Sequence, residues 1–258
     1  MITPEHDYAF WCRIPSRANF GDALTPWLMQ KITGRYPKFR PASDPRHKFL
    51  VTGSIIQYAS APCTVWGSGI MNAHDQINPD ITVTAVRGPM THKNLLEAGI
   101  QVQPVYGDPA LLLPYFYQPP VNKTHTVGLA LHFADAPRLL ATRDFDKAIK
   151  IIDMQQPIEA VVDDIVSCDC VASSSLHGII ASHAYGISAS WIEFQPLPSG
   201  DGSKFRDYLS SIGHSINQPH RITPEQINPA TLSAQLIPAP NSFDPQALLQ
   251  ACPFNTFQ

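Results

Sequence analysis

The chain has 258 residues, enough for one large domain or two small ones, and 44% of them are hydrophobic, which is enough for a core. Its formal net charge of −3 provides no global field that would attract nucleic acid or an anionic membrane. Five cysteines without regular spacing favour a reducing compartment over a disulfide framework, and residues 1–13 lack the apolar segment of a signal peptide. We therefore expect a cytoplasmic protein that does not bind nucleic acid.

The first half of the chain alternates short apolar strands with helices, the pattern of a parallel sheet. A basic, proline-interrupted stretch at 35–48 is interpreted as a surface loop. Glycines at 34 and 99 are placed to end the two helices. Strands are predicted at 8–14, 49–52, 63–66, 81–86 and 102–106, and helices at 23–32 and 89–98.

A second α/β series follows a proline-rich stretch. Strands are predicted at 126–131, 148–154, 169–172 and 189–192, and helices at 157–167, from 177 to Gly186, at 203–212 and at 245–251. We divide the chain into a Rossmann-like domain (1–116), a linker (117–124), a second Rossmann-like domain (125–216) and a proline-rich tail (217–258) that packs back on the first domain. The predicted fold is α/β, with two parallel-sheet domains facing across a cleft that is lined by turns at the carboxyl ends of the strands.

The central segment of the sequence is a strand-to-helix turn formed by Ser173, Ser174, Ser175, Leu176, His177 and Gly178. The first turn of a helix has free N–H groups and partial positive charge, so this turn predicts an anion site. We expect His177 to be neutral in the empty site and to be protonated when a phosphate binds. The alternative is that the serines only cap the helix and that His177 is a satisfied turn histidine.

Other turns that follow strands carry candidate functional residues, each with a structural alternative. Asp22 is either a general base or the N-cap of the first helix, and Arg87 either clamps an anion with its two-pronged guanidinium or pairs with an acid. Asp108, which precedes a proline, is interpreted as a turn former. Lys204 and Arg206 form either a solvated charge cluster or a second anion contact at the mouth of the cleft.

Several common motifs are absent from the sequence. Gly67 and Ser68 lie in a turn that lacks the third glycine of a dinucleotide fingerprint, and there is no P-loop or GxSxG elbow. Cys168 and Cys170 are not accompanied by a second pair of ligands with the spacing of a zinc site, so they do not indicate a metal centre. We therefore expect buried, inert cysteines, no metal and no cofactor.

Six segments together resemble the polysaccharide pyruvyl transferase family, most nearly the bacterial exopolysaccharide ketal pyruvyltransferases of xanthan or succinoglycan type. The likeness spans about residues 17–213, in the order found in the family. The segments are NFGDALTPWL (19–28), VWGSGI (65–70), AVRGPMT (85–91), YGDPALLLP (106–114), SSSLHGIIASHAYGI (173–187) and GSKFRDYLSSIG (202–213).

The resemblance implies a glycosyltransferase-B-like fold and phosphoenolpyruvate as the donor. Members of the family place pyruvate on two hydroxyls of one sugar as a cyclic ketal, commonly across O4 and O6 of a terminal hexose. The donor-binding arginine and the histidine of the family match Arg87 and His177, and the aspartate of its NFGD block matches Asp22. The chemistry of ketal formation then gives these three expected catalytic residues their roles: His177 the acid, Arg87 with the 173–175 turn the anion contact, and Asp22 the base. The expected donor contacts also include Asn19, Gly21, Gly67, Ser68, the 173–178 turn, Lys204 and Arg206.

The resemblance further implies a glycan acceptor, often lipid-linked in this family. The candidate contacts with the inner membrane leaflet are Trp11, Trp27 and the 35–48 loop. Two other functions remain open from the residues: a glycosyltransferase that uses a nucleotide-sugar, and a non-catalytic module that binds sugars or anions. Comparing the binding of phosphoenolpyruvate with that of nucleotide-sugars tests the glycosyltransferase alternative. Release of inorganic phosphate with an acceptor glycan distinguishes an enzyme from the non-catalytic module.

Overall fold

The computed structural model describes residues 7–13, 19–141, 144–196, 199–240 and 243–254. Ile14, which ends the predicted opening strand, lies outside the described residues. The first sheet contains β1 (Tyr8–Ala9), β2 (Lys38–Phe39), β3 (Lys48–Leu50), β4 (Cys63–Trp66) and β5 (Thr82–Ala85). The second sheet contains β6 (His125–Leu131), β7 (Ile149–Asp153), β8 (Cys168–Ser173), β9 (Ala189–Glu193) and β10 (His220–Arg221).

Helices connect the strands and cover the faces of both sheets. They are α1 (Phe20–Thr33), α2 (Pro89–Glu97), α3 (Leu113–Phe116), α4 (Ala136–Leu140), α5 (Ile158–Val166), α6 (Leu176–Ala184), α7 (Ser203–Ser211), α8 (Pro229–Leu232) and α9 (Pro245–Gln250). Short 3₁₀ turns occur at Ile56–Tyr58, Pro109–Leu112 and Pro224–Gln226. Residues 117–124 contain no helix or strand.

Both sheets have the same topology. The strand orders are β2-β1-β3-β4-β5 and β10-β9-β8-β6-β7, and every pairing within them is parallel. Counted within each sheet, both orders read 2-1-3-4-5, the doubly wound order in which ligands bind where the strand order reverses. That reversal falls between β1 and β3, here called the first switch point, and between β6 and β8, the second switch point. The prediction of two Rossmann-like parallel-sheet domains is confirmed, whereas the glycosyltransferase-B-like arrangement stays a prediction.

The helices follow from apolar periodicity. In α5, Ile158, Val161, Val162, Ile165 and Val166 are buried, which is the spacing of one helical face. Strand β8 is buried along nearly its whole length, as expected for a central parallel strand, and only Asp169 is exposed.

Helix α1 begins earlier than the sequence predicts. It starts at Phe20, so Pro26 lies inside the helix and not in its first turn. A proline has no N–H, so the carbonyl of Asp22, four residues earlier, lacks its usual helical donor. This is a correction to the predicted start at residue 23, and it places Asp22 within the helix.

Contacts tie the first sheet and helix α1 to the second half of the chain. The Phe20 N–H donates to the Met154 carbonyl at 2.7 Å, which ties the start of α1 to the end of β7. Near the chain end, the Trp66 indole donates to the Leu248 carbonyl at 2.9 Å. The Phe254 ring packs edge-on against Phe49 at a centroid distance of 4.8 Å. The described part of the 217–258 segment thus contacts both β3 and β4 of the first sheet.

Candidate active site

A cavity of about 760 Å³ lies between the two sheets, and we call it the main cleft. Most of the residues that line it follow β1 and β3 in the first sheet or β6 and β8 in the second, and others come from the turns after β4 and β9. They include Phe10, Trp11, Asn19, Asp22 and Gln57 from the first domain, and His132, Phe133, Ser175, Leu176, His177 and Lys204 from the second. The main cleft therefore lies where the two switch points meet, the position at which doubly wound sheets bind ligands.

Asp22 faces the main cleft from the first turn of α1. The N-cap of that helix is Asn19, so the capping alternative for Asp22 is wrong. Asn19 donates from Nδ2 to Asp22 Oδ2 at 3.4 Å. Burial raises the pKa of Asp22 to about 6, although His177, Asn19 and Lys204 each lower it. A carboxylate with this pKa is ionised near neutral pH and basic enough to accept a proton from a hydroxyl.

His177 lies between the two domains. On one side, a Cβ at Gly21 would lie 2.2 Å from His177 Nδ1, so only glycine permits this approach. On the other side, His177 Nε2 lies 3.4 Å from Asp108 Oδ2. Both of those atoms are buried and neither makes an aligned hydrogen bond with a described residue. The Asp108 carboxylate therefore lies within ion-pair distance of the imidazole, while His177 Nε2 is not committed to an internal hydrogen bond.

The serines of the 173–178 turn have two different roles: some hold the turn in place and others line the main cleft. Ser173 Oγ donates to the Ser175 carbonyl at 2.7 Å and accepts from the Ser175 N–H at 3.0 Å, and it is fully buried. A Cβ at Gly178 would lie 2.3 Å from Ser173 Oγ. Ser173 and Gly178 therefore hold α6 against β8 without lining the cleft, which corrects their expected contact with the donor. Ser175 and Leu176 do line it.

Arg87 does not enter the main cleft. Its side chain is fully buried, and its Nη2 lies 3.0 Å from Asp207 Oδ2 on α7. It also donates to Ser54 Oγ at 2.8 Å and to the Ile70 carbonyl at 2.6 Å. The structure shows the paired arginine and not the direct clamp, so that prediction is corrected. Its partner lies 120 residues away, and the pair docks α7 on the first domain.

Gly67 and Ser68 also lie behind the cleft. Gly67 has a φ of +87°, and a Cβ there would lie 2.1 Å from Pro109 Cδ. Its role is to let the Asp108–Pro109 turn pack closely, which fixes the carboxylate opposite His177. Ser68 is fully buried. Neither residue lines the main cleft, where a contact with the donor was expected.

Lys204 is a buried cation at the junction of two cavities. It lines the main cleft and a smaller cavity of about 190 Å³ beside β9. Burial and the nearby charge of Arg87 lower the pKa of Lys204 to about 8, even though the carboxylate of Asp22 acts in the opposite direction. Burial and the Lys204 charge together lower the pKa of His132 to about 4, so His132 is neutral near pH 7. Lys204 is thus positioned to meet an anion entering either cavity.

Arg206 and Ser174 face the smaller cavity. Arg206 donates from Nη2 to the Asp201 carbonyl at 3.0 Å and to Ser203 Oγ at 2.9 Å. Ser174 Oγ donates to Asp135 Oδ2 at 2.8 Å and accepts from the His132 N–H at 2.9 Å. Ser174 and Arg206 thus line the smaller cavity and not the main cleft, whereas Lys204 lines both.

The two cysteines of β8 lie in different parts of the core. Cys168 Sγ donates to the Asp164 carbonyl at 3.3 Å and Cys170 Sγ to the Thr126 carbonyl at 3.5 Å. Burial raises the pKa of Cys168 to about 11, so its thiol is protonated. No group of three or more histidine, cysteine or acidic side chains with metal-binding geometry occurs within the described ranges.

The residues named as membrane contacts have other neighbours. Trp11 lines the main cleft, and the Trp27 indole donates to Glu159 Oε1 at 2.9 Å, joining α1 to α5. The 35–48 stretch contains β2 and begins β3, so it is partly sheet and not only a loop. Within the part of the chain that the structure describes, no helix has the length and apolar character needed to span a bilayer.

The functional positions of two residues, Asp108 behind His177 and His132 in the main cleft, were not identified from the sequence. Asp108 caps the 109–112 turn by accepting from the Ala110 N–H at 3.0 Å, as its position before a proline indicates. The position of its other oxygen, Oδ2, beside His177 depends on how the two domains pack against each other, which local sequence does not reveal. His132 is the residue directly after β6, at the second switch point. Its position after a strand end was the available signal for it.

Fold and site together define a two-domain α/β protein with a ligand cleft between facing switch points. The sequence profile of the polysaccharide pyruvyl transferase family matches residues 19–195, more than half of the chain. The chain belongs to that family.

Two similar proteins are themselves uncharacterized. One, from Acanthamoeba polyphaga mimivirus, is 31% identical over 178 residues, which cover 66% of this chain and 62% of the relative. The chain thus spans less than two thirds of that relative's length. A solved structure from Klebsiella pneumoniae is similar at 10% identity and a TM-score of 0.48, covering 84% of this chain and 93% of that one.

Proposed function

We propose that the chain transfers pyruvate from phosphoenolpyruvate to two hydroxyls of a terminal hexose in an exopolysaccharide repeat unit, forming a cyclic ketal across O4 and O6. Membership of the polysaccharide pyruvyl transferase family supports the reaction class. The observation that carries the proposal is the meeting of His177, Asp22 and Lys204 in one cleft, with Asp108 beside the histidine. Those residues supply an acid, a base and a cation, which this reaction requires.

The donor is a small anion with a carboxylate and a phosphate. Lys204 and the free N–H groups at the start of α6, beside Ser175 and Leu176, supply positive charge on the second-domain side of the cleft. Asp22 and Asp75 lie on the opposite side and would repel an anion. Phosphoenolpyruvate therefore binds against the second domain, with its methylene carbon toward His177.

His177 acts as the acid. Its proton joins the methylene carbon of the enol, which becomes the methyl group, and C2 becomes electrophilic. The carboxylate of Asp108 offsets the positive charge of the protonated ring before transfer. No redox cofactor and no metal is needed for this step.

Asp22 acts as the base. One sugar hydroxyl loses its proton to Asp22 as its oxygen bonds to C2, and the bond between C2 and the bridging phosphate oxygen breaks. The second hydroxyl then adds to C2 and closes the ring. Of the two hydroxyl protons, one balances the proton added to the methyl carbon and the other leaves on inorganic phosphate.

The test combines binding and turnover. Phosphoenolpyruvate at millimolar concentration should raise the melting temperature, whereas UDP-glucose, GDP-mannose and NAD should not. Inorganic phosphate should then be released only when a glycan acceptor is added. Stabilisation by a nucleotide-sugar alone would support a glycosyltransferase, and binding without phosphate release with any acceptor would support a non-catalytic module. The lipid-linked acceptor, peripheral contact with the inner leaflet and cytoplasmic location stay predictions.

A further inference from the structure

One end of the main cleft is built from aromatic rings. Phe10, Trp11, Phe39 and Tyr58 all line it, on the first-domain side. The rings support one another: Trp11 and Phe39 meet edge-on with centroids 5.0 Å apart, and Phe10 and Tyr58 do so at 5.9 Å. Tyr58 remains 48% exposed. We call these four residues the aromatic end.

The aromatic end does more than complete the core. Large rings that are left half-buried around a cavity, and not closed over by other side chains, are typical of ligand sites. The cation of Arg13 sits over the Phe39 ring, 4.7 Å from its centroid, at the margin of the same cleft. The rings are therefore held in place before any ligand binds.

Two uncharged acceptors in the same cleft have no hydrogen-bond donor among the described residues. Asn19 Oδ1 and Gln57 Oε1 are buried, and neither accepts a hydrogen bond from a described residue. Both residues line the main cleft. A buried acceptor without a donor costs about 1–3 kcal/mol. A ligand that brings hydroxyl groups to these oxygens would remove that cost.

The combination selects a particular ligand chemistry. Aromatic faces carry partial negative charge and attract the C–H groups on one face of a pyranose ring, while its hydroxyls need acceptors around the edge. A lipid tail would leave the two amide oxygens unsatisfied. A second anion would meet the carboxylates of Asp22 and Asp75, which line the same cleft. A neutral sugar satisfies both the rings and the amides.

We propose that the aromatic end, together with Asn19 and Gln57, is the acceptor subsite and takes one uncharged hexopyranose ring. Its role as acceptor subsite rests on the proposed function, whereas sugar binding there does not. Asn19 hydrogen-bonds Asp22 at 3.4 Å, so a hydroxyl held by Asn19 lies next to the base. The donor then occupies the Lys204 side of the cleft, and the two substrates approach His177 from opposite domains.

The test uses saturation-transfer NMR with three probes at millimolar concentration: the methyl pyranosides of glucose, galactose and mannose. At least one should receive saturation at its ring C–H protons. Trp11→Ala should weaken its affinity about tenfold, which corresponds to about 1.4 kcal/mol, and Trp11→Phe should keep affinity within about threefold. Trp27→Phe is the matched control, because that ring packs on Phe116 outside the cleft, and it should bind as the wild type does.

A second variant covers the case in which Trp11→Ala does not fold. Gln57→Leu removes one unsatisfied oxygen together with the Nε2 donor to the Ser54 carbonyl at 3.2 Å, two changes that act on stability in opposite directions, so the variant should fold and bind sugar more weakly. Saturation of none of the three probes, or equal affinity in wild type, Trp11→Ala and Gln57→Leu, would overturn the proposal. Trp11-dependent binding of farnesyl phosphate without sugar binding would overturn it in favour of a lipid site.

Binding of phosphoenolpyruvate distinguishes a failure of the sugar site from a failure of the proposed function. Stabilisation by phosphoenolpyruvate should survive Trp11→Ala, because the donor lies on the other side of the cleft. If the wild type binds sugars through Trp11 but is not stabilised by phosphoenolpyruvate, the sugar site stands and the proposed donor is wrong. If Trp11→Ala loses both ligands, a subsite confined to the aromatic end is contradicted.

Discussion

The two switch points have the same strand order and opposite chemistry. The first, between β1 and β3, presents a carboxylate, unsatisfied amide oxygens and aromatic rings around Asp22 and Trp11. The second, between β6 and β8, presents His132, His177 and the N-terminus of α6, with Lys204 from α7 beside them. The shared strand order thus gives each sheet an equivalent site at the carboxyl ends of its strands. The residues in the turns then determine which ligand each site binds. On the proposed function, the first edge holds the sugar and the second holds the anionic donor.

Replacing His177 should break this division most severely. His177→Gln removes the acid of the second switch point, and kcat should fall by about 10²–10⁴, the range for general acid catalysis. The fold should remain, because glutamine has similar bulk beside Gly21. Phosphate release and melting temperature are measured on the same preparation, with the exposed His74→Gln as control. A folded variant that keeps most of its kcat would remove His177 from the mechanism.

Breaking the contact between the two domains should affect stability more than chemistry. Arg87→Met leaves the buried Asp207 carboxylate without its cation, so the free energy of unfolding should fall by about 3–5 kcal/mol. Thermal denaturation should show a decrease of roughly 6–20 °C. Arg87→Met combined with Asp207→Leu should recover only part of the loss, because the Thr91 N–H and hydroxyl also donate to Asp207, at 3.0 and 2.6 Å.

The control for the Arg87 pair is Arg46→Gln. Arg46 pairs with Asp44 at 2.6 Å on a side chain that is 70% exposed, and an exposed pair contributes about 0–1 kcal/mol. If Arg87→Met raised KM for phosphoenolpyruvate with an unchanged melting temperature, Arg87 would be a donor clamp after all.

Removing the cation of the second switch point should weaken the donor specifically. A charged hydrogen bond contributes about 1.5–3 kcal/mol, so Lys204→Met should raise the dissociation constant of phosphoenolpyruvate about 10- to 100-fold. Affinity for the methyl hexosides should not change. Calorimetric titration of both ligands makes the comparison, and Arg206→Gln, in the smaller cavity, should have the lesser effect. If Lys204→Met weakened the affinity for the hexosides and for phosphoenolpyruvate equally, the proposed assignment of one ligand to each switch point would be contradicted.

The pH dependence of kcat/KM should report on residues of both switch points. Burial raises the pKa of Asp22 to about 6, so kcat/KM should rise about tenfold per pH unit below pH 6 as the base ionises. Burial lowers the pKa of Lys204 to about 8, so kcat/KM should fall above pH 8 as the cation loses its proton. Asp22→Asn should flatten the acid limb, and Lys204→Arg should move the alkaline limb upward. An acid limb centred near pH 4 would mean that Asp22 is not the desolvated base.

The stability contribution of Asp22 has the opposite sign to that of an ordinary paired carboxylate. Its pKa in the folded protein lies above the ordinary value of 3.8, so the folded state disfavours the ionised form. Stability is therefore lost as pH rises from about 4 through about 6. Asp22→Asn should raise the melting temperature slightly at pH 7 and leave it unchanged at low pH, which differential scanning calorimetry can measure.

Much of the fold follows from local patterns. Strand β4 and helix α5 are close to their predicted ranges because their apolar spacing is unambiguous. Strands β2 and β10 are two-residue edge strands whose only signal is their partner strand, so local spacing does not reveal them. The sequence also indicated which turns line the cleft, because parallel strands bring the turns at their carboxyl ends to one edge of the sheet.

The sequence revealed less of the side-chain roles. Arg87 and Asp108 both follow strands, yet one is buried against Asp207 and the other faces His177. Those outcomes depend on how the two domains meet, across separations such as the 120 residues between Arg87 and Asp207. The burial of Lys204 has the same origin, because α7 docks on the first domain through that pair.

The most direct test of the account is the fate of the donor atoms in D₂O. Phosphoenolpyruvate and the three methyl hexosides are incubated with the enzyme, and the products are observed by proton and phosphorus NMR. If His177 delivers a solvent-exchanged proton to the enol, the sugar carries a ketal with a CH₂D group and inorganic phosphate appears in equal amount. A phosphorylated sugar with free pyruvate would contradict the account, because the phosphoryl group and not the pyruvyl group would then have been transferred.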